Sequence, residues 1–321
     1  MTLSPARPYL KGKIDVSIAT TQSGNLTRRH AAFGVFWIVS LVIFWRTISA
    51  LLEYSLHHES CSHIVLIPLI SAYLLFMERK RIFFASSSTG TPGIGLVVIG
   101  AILYWLIIRG SIPEQGNVPL SAAALALVLV WIGGFLWSYG IASARAAVFP
   151  LLFLLLMVPL PDPILSWVIY LLQRGSTEVA YLLFQMVGVP VLRQGFVLSL
   201  PTVAIEVASE CSGIRSTIAL FITCLLAAHF SLRTPWKILV FLLLVVPLVV
   251  IKNGVRIATL TLLSIYVDPG FLHGNLHHDG GFVFFALALL LLLPVFLVLE
   301  RSERRHVLPK PQQTEIGVAG D

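Results

Sequence analysis

Residues 237–256 read KILVFLLLVVPLVVIKNGVR, and this stretch decides the class of fold. A helix needs about 20 mainly apolar residues to cross a bilayer. The run supplies one such span, which can continue to about 267. It is not isolated. Of 321 residues 57% are hydrophobic and 12% charged, and the mean hydropathy is +0.90. The charged share is about half that of a soluble chain. The apolar residues come in long runs separated by short polar joints, enough for about eight crossings. This composition excludes a soluble enzyme and a disordered core, and predicts an all-α integral membrane protein.

The net charge of +7 does not point to nucleic acid, because the basic residues fall in short clusters between apolar runs: Arg28-Arg29, Arg79-Lys80-Arg81, Arg145, Arg233 with Lys237, and Arg301 with Arg304 and Arg305. No base-stacking aromatic surface interleaves with them. Short basic loops mark the cytoplasmic side of a membrane protein. Spans near 31–52, 62–77, 93–109, 119–139, 146–160, 211–230, 237–256 and 282–299 then alternate consistently, with both termini cytoplasmic. Residues 1–30 read as a cytoplasmic tail, without the apolar core of a signal peptide. Residues 31–300 read as the transmembrane domain and 301–321 as a second tail. Residues 161–210 do not fit a clean crossing. Gln173, Arg174, Ser176, Thr177 and Glu178 interrupt 164–188, which predicts an amphipathic segment on the outer face. The Gly, Pro and β-branched residues of 189–208 predict a short extracytoplasmic hairpin.

Ionisable side chains in or beside membrane spans are costly and therefore candidates for function. Three groups qualify. In SECSGIRST (209–217), Cys211 opens the sixth apolar run, where a helix N-terminus and Arg215, one helical turn away, favour a thiolate. Ser212 and Glu210 flank it, and Gly213 permits close approach of backbone or substrate. In KNGVRIATL (252–260), Asn253 and Arg256 share a helical face. This Arg either snorkels to the interface or donates to a developing oxyanion or a carboxylate. FLHGNLHHDGGF (271–282) brings His273, His277, His278 and Asp279. A neutral imidazole there can take a thiol proton and later deliver it to a leaving amine. The topology, derived from loop charges alone, puts a Cys, an Arg and a His at the outer face. Together they make a site for thiol acyl transfer at the membrane surface.

These motifs resemble those of the exosortase/archaeosortase family of membrane cysteine transpeptidases, which carry Cys-Ser-Gly, Asn-x-x-Arg and His-x-x-x-Gly on successive spans. Here they read CSG (211–213), NGVR (253–256) and HHDGG (277–281). SHIVLIPLISAYLLFMERKRI (62–82), FPLLFLLLMVPLPDPILSWVIYLLQ (149–173) and GVPVLRQGFVLSLPTVAIEVASECSGIRS (188–216) extend the likeness, in the family's order, over about 40–300. The His-x-x-x-Gly spacing selects His277 with Gly281, while His278 stands adjacent. The resemblance implies that Cys211 is the nucleophile, His277 the acid–base group, and Arg256 the group that stabilises the oxyanion or orients the thiolate, with Asn253 supporting Arg256. It implies cleavage of a C-terminal sorting signal of the PEP-CTERM type on exported proteins. The reaction would take place at the outer face of the bacterial inner membrane. Transfer to a lipid or glycan acceptor, among membrane lipids, is implied as well.

Other features are weighed and set aside. HHESCSH (57–63) has the look of a metal cluster with His57, His58, Cys61 and His63, but no metal or cofactor is expected, and no HExxH lies on any helix. Glu206 and Glu210 either orient a His, bind a basic part of the substrate, or make structural hydrogen bonds. Cys224 reads as core, and three cysteines give no disulfide framework. The rival class is a transporter or polysaccharide-export component whose polar groups line a solute path. It would place those groups at the midplane on broken helices, not at one face.

Overall fold

The computed structural model describes residues 9–84, 90–209, 213–272 and 281–307. The helices are α1 (Tyr9–Ile43), α2 (Trp45–His57), α3 (Leu66–Met77), α4 (Arg79–Phe84), α5 (Thr91–Ile108), α6 (Val118–Ala146), α7 (Val148–Phe153), α8 (Asp162–Met186), α9 (Ile214–Ser231), α10 (Pro235–Tyr266) and α11 (Gly281–Val307). Between α8 and α9 lie three short strands, β1 (Leu192–Gln194), β2 (Val197–Ser199) and β3 (Ala204–Glu206). The all-α membrane class expected from composition holds.

Among the described residues six helices are long and apolar enough to cross a membrane: Leu26–Ile43, Thr91–Ile108, Val118–Ala146, Ile214–Ser231, Pro235–Tyr266 and Val283–Glu303. A seventh arises if the bent pair Val148–Met157 and Asp162–Met186 is one broken span. About eight were expected, and the difference has two sources. The second expected crossing is a helix of 12 residues, Leu66–Met77, short of the ~20 a crossing needs. The fifth is not one straight helix, because α7 passes into a 3-10 turn over Leu154–Met157 and stops. Side chains such as Leu239, Leu243, Val246, Leu290 and Val298 are exposed on α10 and α11. An apolar exterior of this kind suits lipid as solvent.

The chain folds as two compact units, divided between Leu165 and Ser166. In the first, α5 and α6 approach through small residues. A Cβ on Gly93 would lie 2.3 Å from the Trp137 nitrogen, and one on Gly100 would lie 2.8 Å from the Ala126 carbonyl oxygen. Small residues allow this backbone contact where no hydrophobic force between helices operates. At one end Asn117 and Asp162 each accept the other's backbone N–H, at 2.9 and 2.7 Å, and Asn117 Nδ2 donates to Tyr54 and to the Leu160 carbonyl. The bonds satisfy N–H groups at the starts of α6 and α8.

In the second unit the core is built from α9, α10 and α11, with Leu220, Cys224, Phe241, Val245, Ala288 and Leu292 buried together. The strands pair antiparallel in the order β1-β2-β3, with Leu192 opposite Ser199 and Val197 opposite Glu206. The expected hairpin therefore gains a third strand. Leu198 and Leu200 pack with Phe184 and Ala180 of α8 and Ala258 of α10. The segment 164–188, expected to lie on the membrane surface, is the continuous helix α8, and Ser176 and Thr177 are fully buried. Ser176 and Thr177 thus serve helix packing, while Arg174 and Glu178 of the same helix stay exposed.

Candidate active site

The motif NGVR lies in the second half of α10. Asn253 is 0% exposed, and its Nδ2 donates to Ser176 Oγ on α8 at 3.0 Å. The neighbouring glycine explains how α8 comes so near. A Cβ on Gly254 would lie 2.5 Å from Val179 Cβ and 3.1 Å from the Ser176 carbonyl oxygen. One turn earlier on each helix, Gly175 meets Val250. Arg256 is half-buried, three residues beyond Asn253.

Gly213 is the N-cap of α9 and adopts φ +74°, the left-handed region that favours glycine. A Cβ there would also lie 3.0 Å from Asn253 Oδ1. The last residue of CSG and the first of NGVR therefore touch. The Gly213 carbonyl accepts from Ser216 Oγ at 3.0 Å, Thr217 Oγ1 at 2.8 Å and the Thr217 backbone N–H at 2.9 Å. Lys252 Nζ donates to Ser216 Oγ at 2.5 Å. On the approach to the motif, the Val207 carbonyl accepts from Gln173 Nε2 of α8, and the Val207 N–H donates to the Phe196 carbonyl.

The expected residues are thus placed unequally. Asn253, Arg256 and Gly213 belong to one neighbourhood. Glu206 ends β3 with its side chain exposed. Arg215 is exposed in the first turn of α9. Helix α9 itself starts at Ile214, with Gly213 in the left-handed region before it. Gly281 opens α11. Glu210, Cys211, Ser212, His273, His277, His278 and Asp279 lie outside the described residues.

Sequence reasoning missed Lys252, Ser216, Ser176 and Gln173. For the last two a signal existed: Gln173, Ser176 and Thr177 recur at helical spacing on one face of a mostly apolar helix. In the first unit, His57 and His58 each use Nδ1 on a backbone carbonyl of their own helix, Glu53 and Tyr54. Cys61 is buried, and that burial pushes its thiol pKa up. No group of three or more His, Cys, Asp or Glu among the described residues is arranged to hold a metal ion.

A family model described as transmembrane exosortase matches residues 45–294. No curated protein and no solved structure matches the chain.

Proposed function

Because the chain belongs to the transmembrane exosortase family, we propose that it is a membrane-embedded cysteine transpeptidase acting on exported proteins with a C-terminal sorting signal of the PEP-CTERM type. The thiolate sulfur of Cys211 adds to the scissile carbonyl carbon, and the C=O electron pair moves to oxygen, facing the guanidinium of Arg256. Collapse of this intermediate expels the amine, which takes its proton from the imidazolium of His277, and leaves a thioester on Cys211. An acceptor nucleophile on a lipid or glycan, or water, opens the thioester while His277 removes its proton. Asn253 holds α10 in register so that Arg256 keeps its aim. The site faces the outside of the bacterial inner membrane, and both termini are cytoplasmic.

The observation that carries this reading is the contact between Gly213 and Asn253. The last residue of one motif and the first of the other, forty residues apart in the chain, meet, which supports a shared site. The test is processing of a co-expressed substrate ending in an apolar span and an Arg-rich tail, read as a mass shift on a gel. Cys211→Ala and His277→Ala reduce it to background, and His278→Ala leaves most of it. Processing at a normal rate in Cys211→Ala would sink the mechanism.

A further inference from the structure

Lys252 is buried at 5% exposure and was not among the residues the motifs pick out. Its ammonium donates to Ser216 Oγ, which in turn donates to the Gly213 carbonyl. No carboxylate among the described residues pairs with it; the ion pairs there are Glu78–Arg81, Glu178–Arg193 and Lys237–Glu303. The nearest charge along its own helix is a second cation, Arg256, one turn on. A buried ammonium beside another cation is unfavourable unless an anion completes the arrangement.

We propose that Lys252 is a positioning residue for the reaction, its ammonium steered by Ser216 to the start of α9 as counter-charge for the thiolate of Cys211. The proposal rests on the reading of Cys211 as nucleophile. Cys211 stands two positions before Gly213 in the sequence, a Cα–Cα reach of at most about 7 Å. The Lys252 ammonium lies 2.5 Å from Ser216 Oγ, itself 3.0 Å from the Gly213 carbonyl oxygen, and a positive charge held at this end of α9 favours the ionised form of a nearby thiol. Arg256 adds to the same field from α10. The charges on the other packed elements act less. Arg215 on α9 and Arg174 on α8 are exposed, Glu178 on α8 is neutralised by Arg193, and Glu206 on β3 is exposed. The carboxylate and basic groups of α11, Glu300, Arg301 and Glu303, lie in its last turns, with Glu303 at Lys237.

The experiment uses the full chain in detergent with Cys61→Ser and Cys224→Ala, leaving Cys211 as the single thiol. Its alkylation by iodoacetamide is followed by mass spectrometry from pH 6 to 10. Lys252→Met is expected to raise the midpoint by about one unit, so that the rate at pH 7 falls roughly tenfold while the alkaline plateau is unchanged. Lys252→Arg keeps the charge and restores the profile. Ser216→Ala removes only the anchor and gives a smaller shift in the same direction, which keeps the test available if Lys252→Met fails to fold. Profiles unmoved in both Lys252→Met and Ser216→Ala, or moved as far by Lys252→Arg as by Lys252→Met, overturn the proposal. Processing by Cys211→Ala separates the two readings: if it persists, the nucleophile assignment fails, and if it is lost while the profiles stay fixed, only the role of Lys252 fails.

Discussion

Helix α10 buries one lysine at its start and another near its middle, and it treats them in opposite ways. Lys237, 4% exposed, lies 3.6 Å from Glu303 Oε1 on α11 and donates to Ser302 Oγ. The same Glu303 oxygen accepts the backbone N–H of Thr234, the N-cap of α10, at 3.0 Å. Charge, helix start and neighbouring helix are all satisfied by one carboxylate. About 22 Å along the axis, Lys252 is as deeply buried but bonds to a hydroxyl, with Arg256 for company. The first lysine is a clasp between helices. The second has no carboxylate partner among the described residues and, on the proposal above, serves as counter-charge to a thiolate. Burial alone therefore does not tell a structural charge from a working one; the identity of the partner does.

The largest expected effect comes from breaking the clasp. Lys237→Met strands Glu303 without its cation, so the folded yield falls and the thermal midpoint in detergent drops by several degrees. Adding Glu303→Gln recovers most of the loss, and processing per folded molecule stays normal throughout. Lys252→Met, by contrast, leaves the midpoint unchanged or raises it while activity falls. If it proved as destabilising as Lys237→Met, the contrast between the two lysines would collapse.

A smaller effect sharpens the picture around Lys252. Gly254→Ala forces a methyl against Val179, at a cost of about 1–3 kcal/mol, and pushes Asn253 and Lys252 off the start of α9. Val179→Ala makes room and returns both stability, measured by thermal denaturation, and processing. The smallest effect belongs to an ion pair with neither burial nor chemistry. Arg193→Ala removes the partner of Glu178, whose side chain is 51% exposed, and costs under about 1 kcal/mol with no change in processing.

The membrane class was legible in the sequence because long apolar runs have few other uses, and α10 ran through to Tyr266 as its continuation suggested. Helix breaks were not. The 3-10 turn at Leu154–Met157 is as apolar as the helix before it, so hydropathy sees one span where the backbone makes a bent one. At the site, NGVR and Gly213 could be found from residue types and spacing. Ser176 was signalled only as one of the polar positions of α8; that it stands opposite Asn253 was not, since the two are distant in the chain. The left-handed backbone of Gly213 at the start of α9 is a change of backbone sign that hydropathy does not register.

Gln173 and Ser176 stand on one helix, three residues apart, and hold the segment leading to CSG at Val207 and the NGVR motif at Asn253. Their anchors are separated by only about 5 Å along the axis of α8. A tilt or slide of α8, of the kind a thicker or thinner bilayer imposes, carries both attachments almost equally. The registry between Val207 and Asn253 is thus referenced to a common ruler, not to the membrane, and the same spacing can persist as the lipid around the protein changes.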